Sequence, residues 1–212
     1  MSVAAAAPPE TLAVLRDDGP LATALGRALG PALPLPAPAL AALGALPLLV
    51  LIAVAGGDAS VPVAAAAVAW AVACLGAATG RPSDTRLRWV LPPTARLCEF
   101  AGLVWLAAIA GDSSIPAAFA LMCAIAFRGY DLVYRLRQRG STPARWVTLL
   151  SGGWDGRLLL GVVLLAAGAL PAGFYIWAAV AAAAFAGEAV AGWAAAGRDQ
   201  RPDAYDDEED EG

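Results

Sequence analysis

The sequence predicts an all-α fold, a polytopic membrane bundle of about six transmembrane helices with both termini in the cytoplasm. Two observations lead to this prediction. Six long runs of the chain are nearly free of charge, and all fourteen basic residues are arginines that fall in alternate gaps between those runs. Composition agrees, since 59% of the residues are hydrophobic and 15% are charged, which is more apolar than an ordinary soluble domain.

The six apolar runs define the predicted crossings. A bilayer's hydrocarbon core needs roughly 20 apolar residues of helix to cross it. Two runs reach that length as they stand, the one ending at Thr79 being marginal, and a third does so when its helix is extended. The other three are short, but each continues into sequence with arginine or tryptophan, whose side chains can reach the headgroups. In chain order the crossings are predicted at residues 35–55, 61–79, 97–110, 115–127, 158–170 and 174–196.

The arginines predict the orientation, because cytoplasmic loops of membrane proteins carry an excess of arginine and lysine. Arginines precede the first run, follow the sixth, and occupy the gaps after the second and fourth runs. The opposite gaps, at residues 56–60, 111–114 and 170–173, hold only Asp58 and Asp112 as charged residues. We therefore predict that both termini are cytoplasmic and that the protein is a multi-pass protein of the plasma membrane.

Three regions follow from these boundaries. Residues 1–34 form a cytoplasmic segment in which leucine recurs every fourth position from Leu21 to Leu29, a pattern typical of a short amphipathic helix. That helix is expected on the membrane surface or against the bundle, the alternative being a loosely ordered lead-in. Residues 35–197 form the six-helix transmembrane domain. Residues 198–212 form an acidic, disordered cytoplasmic tail, because a run of like charges does not fold alone.

The chain offers little for metal or redox chemistry. It has no histidine, which is the commonest metal ligand and general base, so zinc and haem sites are not expected. Cys74, Cys98 and Cys123 lie inside predicted crossings at unpaired spacings, and we expect free buried thiols. We expect the protein to contact the lipid bilayer and not to bind nucleic acid, a metal or a cofactor. Mg²⁺ is expected only under the transferase alternative given below.

A few ionisable residues lie at predicted membrane depth, where each is costly and normally faces the protein interior with a partner. Glu99 follows Arg96 by three residues, which places both on one helix face. Glu188 lies ten residues before Arg198, which is about 15 Å deep and close to the midplane. It requires a cationic partner such as Arg128 or a bound proton.

Charged and aromatic residues at the cytoplasmic end form the candidate site. Arg128, Asp131 and Arg135 stack along one face of the fourth predicted crossing, and the glycine-rich loop at residues 151–157 presents a further acid and arginine at the mouth of the fifth. Guanidinium groups make paired, charge-assisted bonds to phosphate, so a lipid phosphate or a nucleotide-linked headgroup is the expected ligand. The candidate ligand-binding residues are Arg128, Asp131, Tyr134, Arg135, Arg137, Asp155 and Arg157, and the buried acidic candidates are Glu99 and Glu188.

Two plainer interpretations remain open at this point. Arginine–carboxylate pairs at helix ends can serve only to anchor a bundle at the membrane interface and to fix helix rotation. Asp155 can equally be the N-cap of the fifth helix, since aspartate at that position accepts bonds from the first backbone amides.

Three segments resemble a known family. Residues 127–137 (FRGYDLVYRLR), 152–160 (GGWDGRLLL) and 15–22 (LRDDGPLA) are similar to an actinobacterial membrane domain of unknown function. That domain is often found after nucleotidyltransferase-like and CDP-alcohol phosphatidyltransferase-like segments. The likeness covers most of the chain and brings no established activity. It implies a setting in phospholipid or cell-envelope lipid synthesis at the cytoplasmic leaflet.

The leading functional hypothesis is a non-catalytic or accessory membrane domain that binds an anionic lipid or a partner enzyme at the cytoplasmic face. An alternative is a membrane transferase acting on phosphorylated lipid, with Asp131 and Asp155 as metal or base residues. Against it, Asp155 has the glycine that follows in the CDP-alcohol phosphatidyltransferase signature Asp-x-x-Asp-Gly but no preceding aspartate at the required spacing. A third hypothesis is a small transporter using Glu188, although the chain has no evident internal repeat.

Overall fold

The structure is a computed structural model that describes residues 15–81, 87–139 and 145–199. Every regular element in these ranges is helical, which confirms the predicted all-α class. The acidic tail predicted for the C-terminal end falls largely on residues 200–212, outside the described residues. The α-helices are α1 (Pro20–Leu29), α2 (Ala37–Ala55), α3 (Val61–Thr79), α4 (Leu91–Ala110), α5 (Ile115–Arg139), α6 (Arg145–Ser151), α7 (Gly153–Ala166) and α8 (Leu170–Asp199).

Proline and glycine set the ends of the first helices. Each of α1 to α4 has a proline in its first turn, where the missing N–H would have no intrahelical partner anyway. Gly56, Gly80 and Gly111 directly follow α2, α3 and α4. Because its first turn is built on proline, α4 begins at Leu91 and not at residue 97. It therefore carries Arg96 inside the helix.

Five helical segments of the described chain are long and apolar enough to cross a membrane, and they confirm a polytopic bundle. They are Ala37–Asp58, Val61–Thr79, Leu91–Ala110, Asp112–Arg137 and Leu170–Ala195. The predicted crossing at residues 158–170 differs. It corresponds to α7, which has 14 residues and is only about 21 Å long.

A break at two glycines explains the short helix. Gly152 and Gly153 have φ angles of +74° and +64°, a left-handed backbone that glycine adopts without steric cost. The break separates α6 from α7, so the chain enters the bundle here as two helical pieces. Non-helical backbone at membrane depth is tolerated only where protein surrounds it and satisfies its polar groups.

Small side chains let the helices pack closely. Helix α5 packs along α8, α2 packs along α3, and α7 packs against α3 and α4. The main core consists mostly of alanine and leucine, with Trp105, Trp154 and Phe174 as its largest apolar side chains. Helices in lipid associate through close packing of small residues and through polar contacts, because lipid supplies no hydrophobic drive between them.

The N-terminal helix α1 packs against α3 and α7. Its buried positions are Ala22 and Gly26, whereas Leu21 and Leu29 are exposed. The leucine stripe predicted as the packing face is therefore only partly used. The reason is steric, since a Cβ on Gly80 at the end of α3 would overlap the backbone of Gly26. Only small residues permit so close a crossing.

Candidate functional site

A network of charged side chains lies inside the bundle, with Arg157 of α7 at its centre. The Arg157 side chain is 1% exposed. Its Nε donates to a carboxylate oxygen of Glu99 on α4, and its Nη2 donates to Asp17 Oδ2 at 2.8 Å. Its Nη1 donates to the carbonyl oxygen of Ser151 at 3.2 Å. All three nitrogens of this guanidinium are thus engaged within the protein.

Two further arginines complete the network. Arg96 Nη1 lies 2.7 Å from Glu99 Oε2, which confirms the pairing predicted from their spacing, and Arg96 Nη2 lies 3.5 Å from Asp17 Oδ2. Arg128 Nη2 donates to Asp17 Oδ1 at 3.4 Å. Burial alone would raise the pKa of Asp17, but the guanidinium groups of Arg157, Arg96 and Arg128 outweigh burial and hold that pKa below its ordinary value. Asp17 is therefore ionised and joins three helices.

The network lies at depth in the bundle. Glu99 is eight residues from the start of α4 and eleven from its end, which places it about 12 Å and about 16 Å from the two ends. Unpaired charges at such depth are costly. Here each carboxylate has at least two guanidinium partners, so the charges compensate one another.

The segment at residues 15–19 reaches this depth by docking against the broken crossing. The backbone N–H of Trp154 donates to the Asp17 carbonyl at 3.2 Å, and Trp154 Nε1 donates to Asp18 Oδ1 at 3.1 Å. A Cβ on Gly153 would overlap the backbone of Gly19. Two of the segments that carry the family resemblance are therefore one packed unit in space.

Asp155 caps α1, a helix distant in sequence. Its Oδ1 accepts the backbone N–H of Gly19 at 2.7 Å, and its Oδ2 accepts that of Ala22 at 2.9 Å. The first amides of a helix have no intrahelical partner, and the N-cap residue of α1 is a glycine with no side chain to supply one. Asp155 was expected to bind phosphate or to cap its own helix; both of its oxygens serve α1 instead.

A second group of charges joins α5 to α8. Arg135 Nε lies 2.8 Å from Asp131 Oδ2. Arg135 also makes a bidentate salt bridge with Glu188, in which Nη1 donates to Oε1 at 2.7 Å and Nη2 donates to Oε2 at 3.3 Å. Glu188 was predicted to need a cationic partner, with Arg128 as the example; Arg135 is the partner that hydrogen-bonds to it, and Arg128 also interacts with Glu188 electrostatically. The Arg128 Cζ lies 4.9 Å from the centroid of the Phe185 ring, close enough for a cation–π contact.

An open groove of about 290 Å³ lies beside this second group, on the α5–α8 seam. The rings of Tyr130 and Tyr134 stack with centroids 6.4 Å apart, and Tyr134 meets Trp193 of α8 at 5.3 Å. Tyr130 is 73% and Trp193 44% exposed. Arg137 is exposed and follows Tyr134 by three residues, on the same stripe of α5. We call this the aromatic groove; its lining is Phe127, Tyr130, Asp131, Tyr134, Ala189 and Trp193.

A second cavity of about 330 Å³ continues along the same seam. It shares Phe127 with the aromatic groove and is otherwise lined by small side chains, namely Ala120, Cys123, Ala124, Ala182 and Ala186. Cys123 is exposed here, so the expectation of three buried thiols is wrong at this position, whereas Cys74 and Cys98 are buried. All three cysteines are free.

The predicted site residues therefore separate into two places. Arg128, Asp155, Arg157 and Glu99 lie in or beside the interior network, whereas Asp131, Tyr134, Arg135 and Glu188 lie on the α5–α8 seam and Arg137 is exposed. Arg157, expected at the mouth of the fifth crossing, has its side chain buried inside the bundle. Sequence reasoning missed Asp17 and Trp193 as site residues, although Asp17 stands within one of the segments that carry the family resemblance. In the described ranges, no group of three or more His, Cys, Asp or Glu residues is placed to hold a metal ion.

Helices of spanning length around a buried ion-pair network define this chain as a polytopic helical membrane protein. The sequence profile of a family of unknown function, DUF5941, matches residues 5–211. The chain belongs to that family. Comparisons with curated proteins and with solved structures found no match.

Proposed function

We propose that this protein is a non-catalytic or accessory membrane domain that binds an anionic phospholipid in the aromatic groove. The observation that supports this most is the stack of Tyr130, Tyr134 and Trp193 on the α5–α8 seam, together with the exposed Arg137 three residues after Tyr134 on α5. Tyrosine and tryptophan favour the membrane interface, where an apolar ring meets lipid and a polar tip meets water. Arginine supplies donors for a phosphate.

The depth of these residues fits a headgroup. Tyr134 is 19 residues and Arg137 is 22 residues from Ile115, where α5 begins. At 1.5 Å per residue they lie about 28 Å and about 33 Å along the helix. With Ile115 at one edge of a hydrocarbon core about 30 Å thick, the ring would stand at the other edge and the guanidinium beyond it. This depth supports a position for Arg137 at the phosphate level of the leaflet that the arginine-rich loops face.

The two-pronged contact of Arg135 with Glu188 fixes the groove's shape. It ties α5 to α8 beside Tyr134 and Trp193, so the two walls keep their separation. Asp131 holds the Nε of the same arginine. A groove with fixed walls loses little conformational freedom when a ligand binds, which favours affinity.

The expected setting is the cytoplasmic leaflet of the plasma membrane, in phospholipid or cell-envelope lipid metabolism. Support comes from the arginine distribution along the chain and from the resemblance to membrane domains that follow lipid-transferase-like segments. A partner enzyme of lipid synthesis is the second expected ligand of the same cytoplasmic face.

The other two hypotheses receive less support. Asp131 is paired with Arg135, and both oxygens of Asp155 accept backbone amides of α1, so neither carboxylate is poised as a metal ligand or base. Glu188 is held by Arg135 in the same way, which disfavours a proton-coupled transport site there. Arg157, committed to Glu99 and Asp17, is likewise unsuited to a lipid phosphate.

The test measures retained and added lipid by native mass spectrometry of the purified full chain. Phosphatidylglycerol and phosphatidylcholine with the same acyl chains are titrated at two salt concentrations. Arg137→Gln should weaken phosphatidylglycerol binding about fivefold, since a basic residue near an anionic surface contributes about 1 kcal/mol, and higher salt should weaken the parent's binding.

Arg27→Gln is the matched control, because Arg27 is also exposed and carries the same charge but lies on α1, away from the groove. It should bind both lipids as the parent does. Equal effects of the two substitutions, or equal binding of the two lipids by the parent, would contradict the proposal.

A further inference from the structure

We infer that the aromatic groove and the adjoining alanine-lined cavity form one channel for a single acyl chain of the bound lipid. This inference rests on the proposed function, because the headgroup at Arg137 sets where the chain begins. The part of the lipid that the rest of the seam recognises is a straight hydrocarbon chain.

The lining residues have the spacing of one continuous stripe on each helix. On α5 they recur at three- and four-residue steps from Ala120 to Tyr134, and on α8 they do so from Ala182 to Trp193. Residues at such steps lie one above another on a helix face. Phe127 belongs to both cavities, so the two adjoin along the seam.

The stripe is longer than one leaflet is deep. Ala120 and Tyr134 are 14 residues apart, which is about 21 Å of helix. Half of the hydrocarbon core is about 15 Å. With Tyr134 at the edge of that core, the channel runs from the headgroup level to about 6 Å beyond the middle of the bilayer, which leaves room for the full length of one acyl chain.

The chemistry of the walls changes along this path in the order that a lipid requires. Tyr134 and Trp193 stand at the headgroup end, and Tyr130 and Asp131, the latter paired with Arg135, lie next to them. Phe127 stands between the two cavities, and only alanine and Cys123 line the deep end. Because alanine side chains are small, they leave a depression along the seam between α5 and α8, and they present no polar group to a hydrocarbon chain.

The two cavities can enclose a thin chain but not another helix. A helix with its side chains is about 10–12 Å across, so a stretch of about 21 Å would fill well over 1,000 Å³. The two cavities measure only about 290 Å³ and 330 Å³. An alkyl chain can therefore lie inside the channel, whereas a helix from a second copy of this chain could only pack over it.

The test uses phosphatidylglycerols whose chains increase from 8 to 16 carbons, titrated into the purified full chain and measured by native mass spectrometry. Affinity of the parent should rise with chain length by at least tenfold across the series. Ala186→Phe, which fills the deep cavity, should reduce binding of the longest lipid at least fivefold and leave the shortest unchanged.

Ala183→Phe is the matched control, because Ala183 is an exposed alanine of the same helix outside both cavities. Ala182→Phe, one turn from Ala186 in the same cavity, provides a second variant if the first fails to fold. Chain-length dependence that survives both cavity substitutions would overturn the inference.

The two proposals fail in distinguishable ways. If Arg137→Gln weakens phosphatidylglycerol binding as expected but chain length has no effect, the acyl channel is wrong and the proposed function stands. If cavity substitutions alter long-chain binding but phosphatidylglycerol and phosphatidylcholine bind equally, the anionic-lipid function is wrong. Conversion of a dimer to a monomer by Ala186→Phe, without change in lipid binding, would assign the channel to a second copy and overturn the inference.

Discussion

Replacing Asp17 by asparagine removes the one carboxylate that contacts all three arginines of the interior network. Its oxygens lie 2.8 Å from Arg157, 3.4 Å from Arg128 and 3.5 Å from Arg96. Asparagine keeps the size of the side chain. It also tolerates the left-handed backbone at this position, where φ is +57°. The substitution therefore tests charge and little else.

The expected loss is large because the arginines stay buried. Removing one partner of a buried ion pair costs about 3–5 kcal/mol, and the retained amide oxygen places this variant at the lower end. For a protein of this size, about 3 kcal/mol corresponds to a fall in Tm of about 6–12 °C. Thermal unfolding in a neutral detergent, followed by tryptophan fluorescence, measures it, since Trp154 is buried beside the network.

Asp18→Asn is the matched control at the next position. Asp18 pairs with a single arginine, Arg16 at 2.8 Å, and both side chains keep some exposure, 12% and 15%, so losing this charge should cost less than losing that of Asp17. Asparagine also keeps an oxygen for Trp154 Nε1. If Asp17→Asn lowers Tm no more than Asp18→Asn does, the network is not a structural clamp and the reasoning is refuted.

A double substitution measures the coupling directly. Arg128→Leu combined with Asp17→Asn removes a guanidinium that Asp17 no longer neutralises. The double variant should therefore be less destabilised than the sum of the two single changes by about 0.5–3 kcal/mol. Strict additivity would mean that Asp17 and Arg128 do not interact energetically.

The lowered pKa of Asp17 predicts a pH dependence of thermal stability. Because the pKa of Asp17 is lowered in the folded protein, its ionised form stabilises the fold fully above the unfolded value of about 3.9. That contribution is lost as pH falls through the lower folded-state value. The acid side of the Tm profile should therefore be shallower for Asp17→Asn than for the parent.

Two further predictions concern topology and the close approach at the broken crossing. In a background without native cysteines, a cysteine at Ser60 should be labelled by an impermeant thiol reagent in intact cells, whereas one at Ser141 should need permeabilised membranes; labelling of Ser141 in intact cells would reverse the orientation. Gly153→Ala should lower Tm by several degrees, because the added Cβ would overlap the backbone of Gly19 and because φ at residue 153 is positive. Gly187→Ala is the control and should leave Tm unchanged, because the space around Gly187 is open. Equal Tm values for the two variants would argue against the tight docking of residues 15–19.

The amino-acid sequence by itself determined the all-α class and the existence of the long crossings. Charge-free runs, arginine-bearing gaps and proline or glycine at the ends are local properties, so they can be read without knowing what packs where. The pair Arg96 and Glu99 was equally predictable, because both lie on one helix and helical geometry alone brings them together.

The face of α1 that packs was decided by tertiary structure. Three leucines predicted it, yet Ala22 and Gly26 are the buried residues, because the backbone of α3 approaches too closely for a larger side chain. The short length of α7 was also decided by tertiary structure. Its preceding glycines signalled a turn, but only the docked segment at residues 15–19 supplies the partners that make a break at this depth tolerable.

The partners of the long-range charges were likewise decided in three dimensions. Asp155 caps α1 across more than a hundred residues, Asp17 joins arginines from α4, α5 and α7, and Arg135 takes Glu188. Sequence spacing predicts neighbours only within one helix. Contacts between helices depend on the rotation, tilt and depth of each helix, which the close packing of alanine and glycine sets. These pairings between helices therefore form only in the assembled bundle.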